Sequence, residues 1–249
     1  MLKRIDHVVV AVRDLAAAIS DYATVGLRAT YGGVHGDGRT ENALVCFADG
    51  TYVELVAFRD HPGVAGHRWW PPLQRGEGFV DYCLEASDLD AERERLTGAG
   101  LAVSGPTPGA RDRPDGRRLE WRTLQVGAGA TESALPFLIE DRTPRADRAP
   151  GTAPTDHPLG VSGIAALRLV ARDVVAARGA LGRTLGRSAS SPDESTFAVG
   201  AQRLHLLHER AERDGIRELV LHSKRARGER LTLDDPLLHG ARVVVAARD

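Results

Sequence analysis

Residues 5–21 read IDHVVVAVRDLAAAISD, a β-branched run joined to a helical stretch that Asp14 opens. β-branched residues suit a pleated strand and an aspartate ahead of helical spacing supplies an N-cap, so this is a βα unit. The same grammar returns at 79–86 (FVDYCLEA) with Asp88 opening the next helix, and at 164–171 (IAALRLVA) with Asp173. Three copies make an internal repeat. Strands and turns follow each predicted helix. The first copy has residues 42–47, an Asp49-Gly50 turn and residues 52–58. The second has a Pro114-Asp115-Gly116 turn, residues 117–126 and residues 135–140; the third has residues 195–199, a Gly200 turn and residues 203–207. Each copy is βαβββ in outline. A fourth start at 216–222 lacks the cap and the helix and passes through a charged turn to residues 230–233 and 241–246, a truncated module.

The expected class is therefore α+β. One βαβββ unit leaves a face of its curved sheet open, and two units side by side enclose a shared cavity. Residues 1–145 should form the paired modules with the pocket, and residues 161–249 a third module and the truncated fourth. Between them, within PRADRAPGTAPTDHPLG, residues 146–160 read as an exposed linker, being rich in Pro, Ala and charge.

With 33 basic and 34 acidic side chains, the net charge of −1 provides no long-range field to gather nucleic acid or an anionic membrane. Cys46 and Cys83, the two cysteines, sit in apolar strand-like runs and read as free buried thiols of a reducing compartment. The N-terminus has no long apolar core of a signal peptide, and no stretch approaches the ~20 apolar residues of a membrane span. A cytoplasmic protein is expected, with a small-molecule ligand, no nucleic acid or membrane partner, and free sheet edges open to a homodimer.

Residues 5–15 (IDHVVVAVRDL), the spaced HGDGRTENAL of residues 35–44 and DGTYVEL (49–55) together resemble the glyoxalase-like branch of the vicinal oxygen chelate superfamily. FVDYCLEASDLDA, PDGRRLEW and LPFLIE carry the resemblance through the second copy, so it covers nearly all of residues 1–141. It implies a pocket between paired modules, often with a divalent metal held by residues of the first and last strand of each. Superfamily members include isomerases, epimerases, ring-cleaving dioxygenases, thiol transferases and non-catalytic drug-binding proteins, so the fold does not fix the chemistry.

Strand alternation separates His7, Val9 and Ala11 from Val8, Val10 and Val12, and the all-valine face wants a helix, which leaves His7 facing the concavity. Aligning Asp14 with Asp88 sets Asp81 on His7, with Cys83 and Glu85 on the same face. Tyr52, Glu54 and Val56 share a face, and matching YVEL to LIED sets Glu140 on Glu54. His7, Glu54, Asp81 and Glu140 thus form the expected metal set. One imidazole with three carboxylates is an oxygen-rich site that suits Mn, Mg or Fe better than Zn, with Ni also among the metals considered; no nucleotide cofactor is expected. An extradiol oxygenase is disfavoured, because Asp81 stands where its second histidine is needed. Glu54, Glu140 and Glu85 are all chemically able to act as the base.

As family-pattern positions, His35, in a glycine-rich loop, and Asn42 are candidates to touch substrate; Arg118 is a candidate fork for a carboxylate and Trp121 a flat apolar wall. Competing structural readings stand beside these: His7 as a hydrogen-bonded strand residue, Glu54 paired with an arginine such as Arg118, Asp81 and Glu140 as solvated acids, Trp69 and Trp70 as core. The third copy carries Ala166 and Leu204 at the His7 and Glu54 positions, so a structural or pocket-covering role is expected for it, its His205 and His208 notwithstanding. Two functions follow: a metal-dependent lyase, isomerase or epimerase of a small oxygenated substrate, or a metal-free binding or sequestration protein of the drug-resistance type.

Overall fold

A computed structural model describes residues 1–127, 134–149, 151, 153–186, 195–223, 230–233 and 236–247. The first module runs β1 (Leu2–Val12), α1 (Leu15–Thr24), β2 (Thr30–His35), β3 (Thr40–Cys46) and β4 (Tyr52–Phe58). A 3-10 turn at Val64–Gly66 and the short α2 (Trp70–Arg75) lead into the second. It comprises β5 (Gly78–Ala86), α3 (Leu89–Gly98), β6 (Val103–Asp112), β7 (Arg118–Val126) and β8 (Phe137–Asp141). After α4 (Arg145–Arg148) come β9 (Val161–Val170), α5 (Val174–Thr184), β10 (Thr196–Val199) and β11 (Gln202–Leu206). The remainder is β12 (Gly215–Ser223), β13 (Leu231–Leu233) and β14 (Val243–Ala247). The charged turn read in the fourth copy lies largely outside the described residues.

The helix signals act in all three copies. Asp14, Asp88 and Asp173 each accept a backbone N–H of the first turn, and each helix stops at a glycine in the left-handed region, Gly26, Gly100 and Gly186. Two strands are additions to the sequence reading. The segment TYGGVH, expected as a loop, is β2, and the Pro- and Gly-bearing VSGPTPGARD is β6. Both lack apolar alternation, and neighbouring strands impose their conformation.

The first two modules close an eight-stranded barrel in the order β1-β4-β3-β2-β6-β7-β8-β5. Its seams differ: β1 and β5 pair antiparallel along most of their length, whereas β2 and β6 meet only at Val34–Asp112 and His35–Arg111. Closure leaves the barrel without free edges, so among the described residues the outer strands β10 and β13 of the second sheet, ordered β10-β11-β9-β12-β14-β13, are the edges left.

Val8, Val10 and Val12 lie outside the barrel against Leu15, Ala18 and Tyr22 of α1, and the same core continues into Leu167, Leu169, Leu204 and Leu219 of the second sheet. The later modules thus cover the barrel's outer wall. Gln202 fixes the join: its side chain accepts from the Ile5 N–H at 2.8 Å and donates to the Ile5 carbonyl at 3.3 Å. Inside the barrel, Val9, Val56, Cys83, Phe137 and Ile139 form a separate apolar cluster. No helix among the described residues is long and apolar enough to cross a membrane.

The segment expected as an exposed linker contains buried residues. Arg148 and His157 are only 2% and 5% exposed, and all of α4 after Arg145 falls inside it; Pro150 and Thr152 lie outside the described residues. The polar composition that read as solvated has partners on the barrel: His157 donates from Nε2 to the Cys46 carbonyl at 2.9 Å and accepts the Arg28 N–H at Nδ1.

Candidate functional site

The barrel encloses a cavity of about 710 Å³, within the range of small-molecule sites. Its lining includes His7, His35, Asn42, Tyr52, Glu54, Trp69, Trp121, Phe137 and six arginines, 68, 111, 118, 122, 142 and 148. Glu54 is the buried acid of this lining. The parallel register sets Glu54 beside Val9 of β1, and the antiparallel register sets it beside Leu44 of β3. Its carboxylate accepts from Asn42 Nδ2 at 2.6 Å and lies 3.4 Å from Nε2 of both His7 and His35. Burial pushes its pKa up, but the His35 hydrogen bond, the two imidazoles and Asn42 outweigh this and bring it down to about 2. His7, Glu54, His35 and Asn42 are therefore brought together, and the competing Glu54–Arg118 pair does not form.

Behind His7 stands a residue that alternation hid. Between Ile5 and His7 the β1–β5 register slips: Ile5 pairs with Leu84 and His7 with Cys83, so Asp6 is the extra residue of a β-bulge. The bulge turns Asp6 to the same side as His7. Its carboxylate, fully buried, takes His7 Nδ1 at 2.7 Å, two Arg148 nitrogens at 2.9 and 3.0 Å and Arg145 Nε at 3.0 Å. Burial would raise the pKa of Asp6, yet Arg148 and the His7 hydrogen bond hold it well below the usual carboxylate range. With Asp6 on Nδ1, the His7 ring presents Nε2 to Glu54. Tyr52 stacks on His7 at 4.6 Å and receives a hydrogen bond from Arg148. Arg148 also bonds Asp141 at 2.6 and 2.9 Å, so α4 plugs the floor of the barrel with a guanidinium between two carboxylates. Sequence reading passed over Asp6 because strict alternation sent it outward, and over Arg148 because it belonged to the linker.

The second module departs from expectation. Glu140 faces outward: it bonds Arg122 at 2.7 Å, lies 3.2 Å from Arg142 and accepts the Leu89 N–H at the start of α3. The cause is register. Val9 pairs with Glu54 as Cys83 pairs with Phe137, so the structural counterpart of Glu54 is Phe137, three residues before Glu140, and an odd slip reverses the face. Asp81 does not join the cavity lining: it bonds Trp69 Nε1 at 2.9 Å and is paired with Arg68, whose guanidinium lies 5.1 Å from the Phe137 ring centre. Glu85 bonds Lys3 and Arg4 and stands 3.4 Å from Arg145, also outside the lining. Arg118 is a half-exposed lining residue engaged by Asp112, and Trp121 meets His35 edge-on with ring centres 6.2 Å apart. His35 ends a strand rather than riding on a loop. Trp69 lines the cavity, while Trp70 lies against Phe58.

The model of the glyoxalase-like domain matches residues 5–185, most of the chain. The chain belongs to the glyoxalase-like domain family of the vicinal oxygen chelate superfamily. No curated protein sequence matches this glyoxalase-like chain. Among solved structures, a hypothetical protein from Staphylococcus aureus superposes over 100% of both chains with a TM-score of 0.79 at 15% identity, which establishes a shared fold. A fusion of a xylose isomerase-like TIM barrel with 4-hydroxyphenylpyruvate dioxygenase matches 89% of this chain and 36% of its own, with a TM-score of 0.52 and 16% identity. Methylmalonyl-CoA epimerase from Streptomyces coelicolor matches 57% of this chain and 97% of its own at 23% identity, with a TM-score of 0.43, too loose to carry chemistry across.

The metal set implied by the family resemblance does not fit this glyoxalase-like domain. Among the described residues, no group of three or more His, Cys, Asp and Glu side chains is disposed to hold a metal ion. Phe137 stands where the second carboxylate is needed, and Arg68 puts a cation on Asp81. The first module retains His7 and Glu54, with Asn42 and His35 on the same carboxylate.

Proposed function

We propose that this glyoxalase-like domain binds a small organic molecule inside the first barrel without a divalent metal, the binding or sequestration reading of the sequence. One observation carries it: the second module's half of the metal set is taken by the Phe137 ring and the Arg68–Asp81 pair, within a cavity of ligand size. A divalent ion there would meet a fixed guanidinium, and like charges in a low-dielectric interior repel strongly. Trp69, Trp121 and Phe137 offer flat apolar surface, and the Glu54 cluster offers polar orientation. The test is elemental analysis of the purified protein followed by ligand screening by thermal shift, before and after chelator treatment. Ligand-dependent stabilisation that survives chelation is expected. Stoichiometric Mn, Mg, Fe, Ni or Zn that disappears in Glu54→Gln, with binding restored only by that metal, would overturn it and favour a metal-dependent lyase, isomerase or epimerase.

A second reading is favoured by the 2.7 Å contact between Asp6 and His7 Nδ1, which orients an imidazole as a proton carrier beside Glu54. It is a metal-independent proton-transfer isomerase. Turnover that persists after chelation and vanishes in His7→Gln would support it; turnover of no bound molecule would leave the binding reading. Cytoplasmic residence is proposed on the two free, buried cysteines, Cys46 held up to about 12 by burial. A homodimer through strand pairing would use β10 or β13, the edges that barrel closure leaves.

A further inference from the structure

Six arginines line the cavity, and five of them pair with carboxylates: Arg68 with Asp81, Arg118 with Asp112, Arg122 and Arg142 with Glu140, and Arg148 with Asp6 and Asp141. Arg111 does not. It is 4% exposed, and its partners are the Asn42 side-chain oxygen and the Arg148 carbonyl, each at 3.3 Å. Its Nε has no hydrogen-bond partner among the described residues. No carboxylate stands in contact with this buried guanidinium, on which Glu54 acts only at longer range through Asn42, and neutral acceptors at 3.3 Å offset little of the cost of burying it. Burial pulls its pKa down, and the opposing influence of Tyr52 and Glu54 does not offset it.

The place is built around this side chain. A Cβ at Gly32 would stand 2.3 Å from the Asn42 oxygen and 2.9 Å from Arg111 Nη1, so only bare backbone lets the two lie there. Gly33 (φ +129) continues the bare stretch, its absent Cβ facing the Asp112 carbonyl. Asn42 passes the polarity of Arg111 on to Glu54, whose carboxylate it holds at 2.6 Å.

We propose that Arg111 is the anchor of an anion site, and that the cavity takes a planar organic monocarboxylate with an apolar body. This rests on the reading of the barrel as a ligand-binding cavity. A guanidinium fork matches a carboxylate in shape, and a single guanidinium with no carboxylate in contact suits a monoanion. A dianion such as a phosphate ester would call for a second cation with no carboxylate in contact, and each of the other five lining arginines has one, Arg122 bonding Asp90 as well as Glu140. The apolar body would face Trp121 and Phe137.

The probes are 2-naphthoate, its neutral isostere 2-naphthamide and inorganic phosphate, titrated calorimetrically into the full chain in chelator-treated buffer. Naphthoate is expected to bind roughly tenfold or more tightly than naphthamide, the difference one charge-assisted hydrogen-bonded pair makes, with phosphate weaker still. Arg111→Gln should abolish the preference, and Arg111→Lys should keep part of it. The comparison on the unmutated chain stands even if the variants fail to fold. Equal affinity for acid and amide overturns the anion site while leaving the cavity reading intact. Phosphate tighter than naphthoate, a preference preserved in Arg111→Gln, or no binding of either naphthalene also overturns it. A preference seen only after a divalent metal is added supports Arg111 and overturns the metal-free reading.

Discussion

Asp6→Asn removes one charge from the floor of the barrel and little volume. The carboxylate takes four contacts from arginine nitrogens at 2.9 to 3.0 Å and one from His7 at 2.7 Å. An asparagine offers one acceptor oxygen and a donor that faces the guanidinium of Arg148, 2% exposed. Breaking a buried pair on one side costs about 3–5 kcal/mol, because the remaining charge stays desolvated. Arg148 keeps Asp141 at 2.6 Å, so the lower end, about 3 kcal/mol, is expected, a sizeable fraction of the ~5–15 kcal/mol of a typical domain. Urea unfolding followed by both tryptophan fluorescence and circular dichroism measures it. Asp6→Asn/Arg148→Met should be less destabilised than the sum of its parts, since it removes both charges. The folded pKa of Asp6 lies below its unfolded value, so its contribution is full above the usual carboxylate range and fades as pH falls through the depressed value. The difference between wild type and Asp6→Asn should accordingly shrink in acid below the unfolded pKa. A single variant within about 0.5 kcal/mol of wild type, or strictly additive pairs, would refute the claim that this bulge residue anchors the site.

Glu54→Gln should flatten the acid limb of stability: the wild-type carboxylate, held at about 2 against an ordinary 4.5, contributes above 4.5 and is lost on descent toward 2, as acid titration of the unfolding midpoint would show. Gln202→Ala strips both side-chain hydrogen bonds from Ile5, so a loss of about 1–3 kcal/mol is expected, with faster hydrogen exchange at the Ile5 amide. Gly109→Ala puts a Cβ 2.4 Å from Trp121 Nε1; about 1–3 kcal/mol of destabilisation and an altered near-ultraviolet dichroism of the tryptophans should follow, and an unchanged spectrum would count against that contact.

The repeat was legible because its signals are local. A β-branched run, a capping aspartate and a closing glycine act within one turn of chain, and all three copies of each function in the structure. Alternation likewise turned the valines of β1 to the helix and brought His7 and Glu54 to one interior, because both lie on the unbroken β1–β4 ladder. Strands β2 and β6 were not legible: glycine and proline erase the pattern, and pairing with distant neighbours decides the conformation. Glu140 changed face because adjacent fragments can look alike while the ladder that sets register runs between β5 and β8, more than fifty residues apart in sequence. Asp6 reached the site through a bulge imposed by β5, and Arg148 because a segment that looks solvated in isolation finds Asp6 and Asp141 once the barrel has closed. Sequence by itself settled period, caps and the inward direction of the first module's pair. Which arginines meet a carboxylate, and that Arg111 meets only neutral acceptors among the described residues, was decided only by the closed barrel, since charge pairing depends on groups that approach through space and leave no periodic trace along the chain.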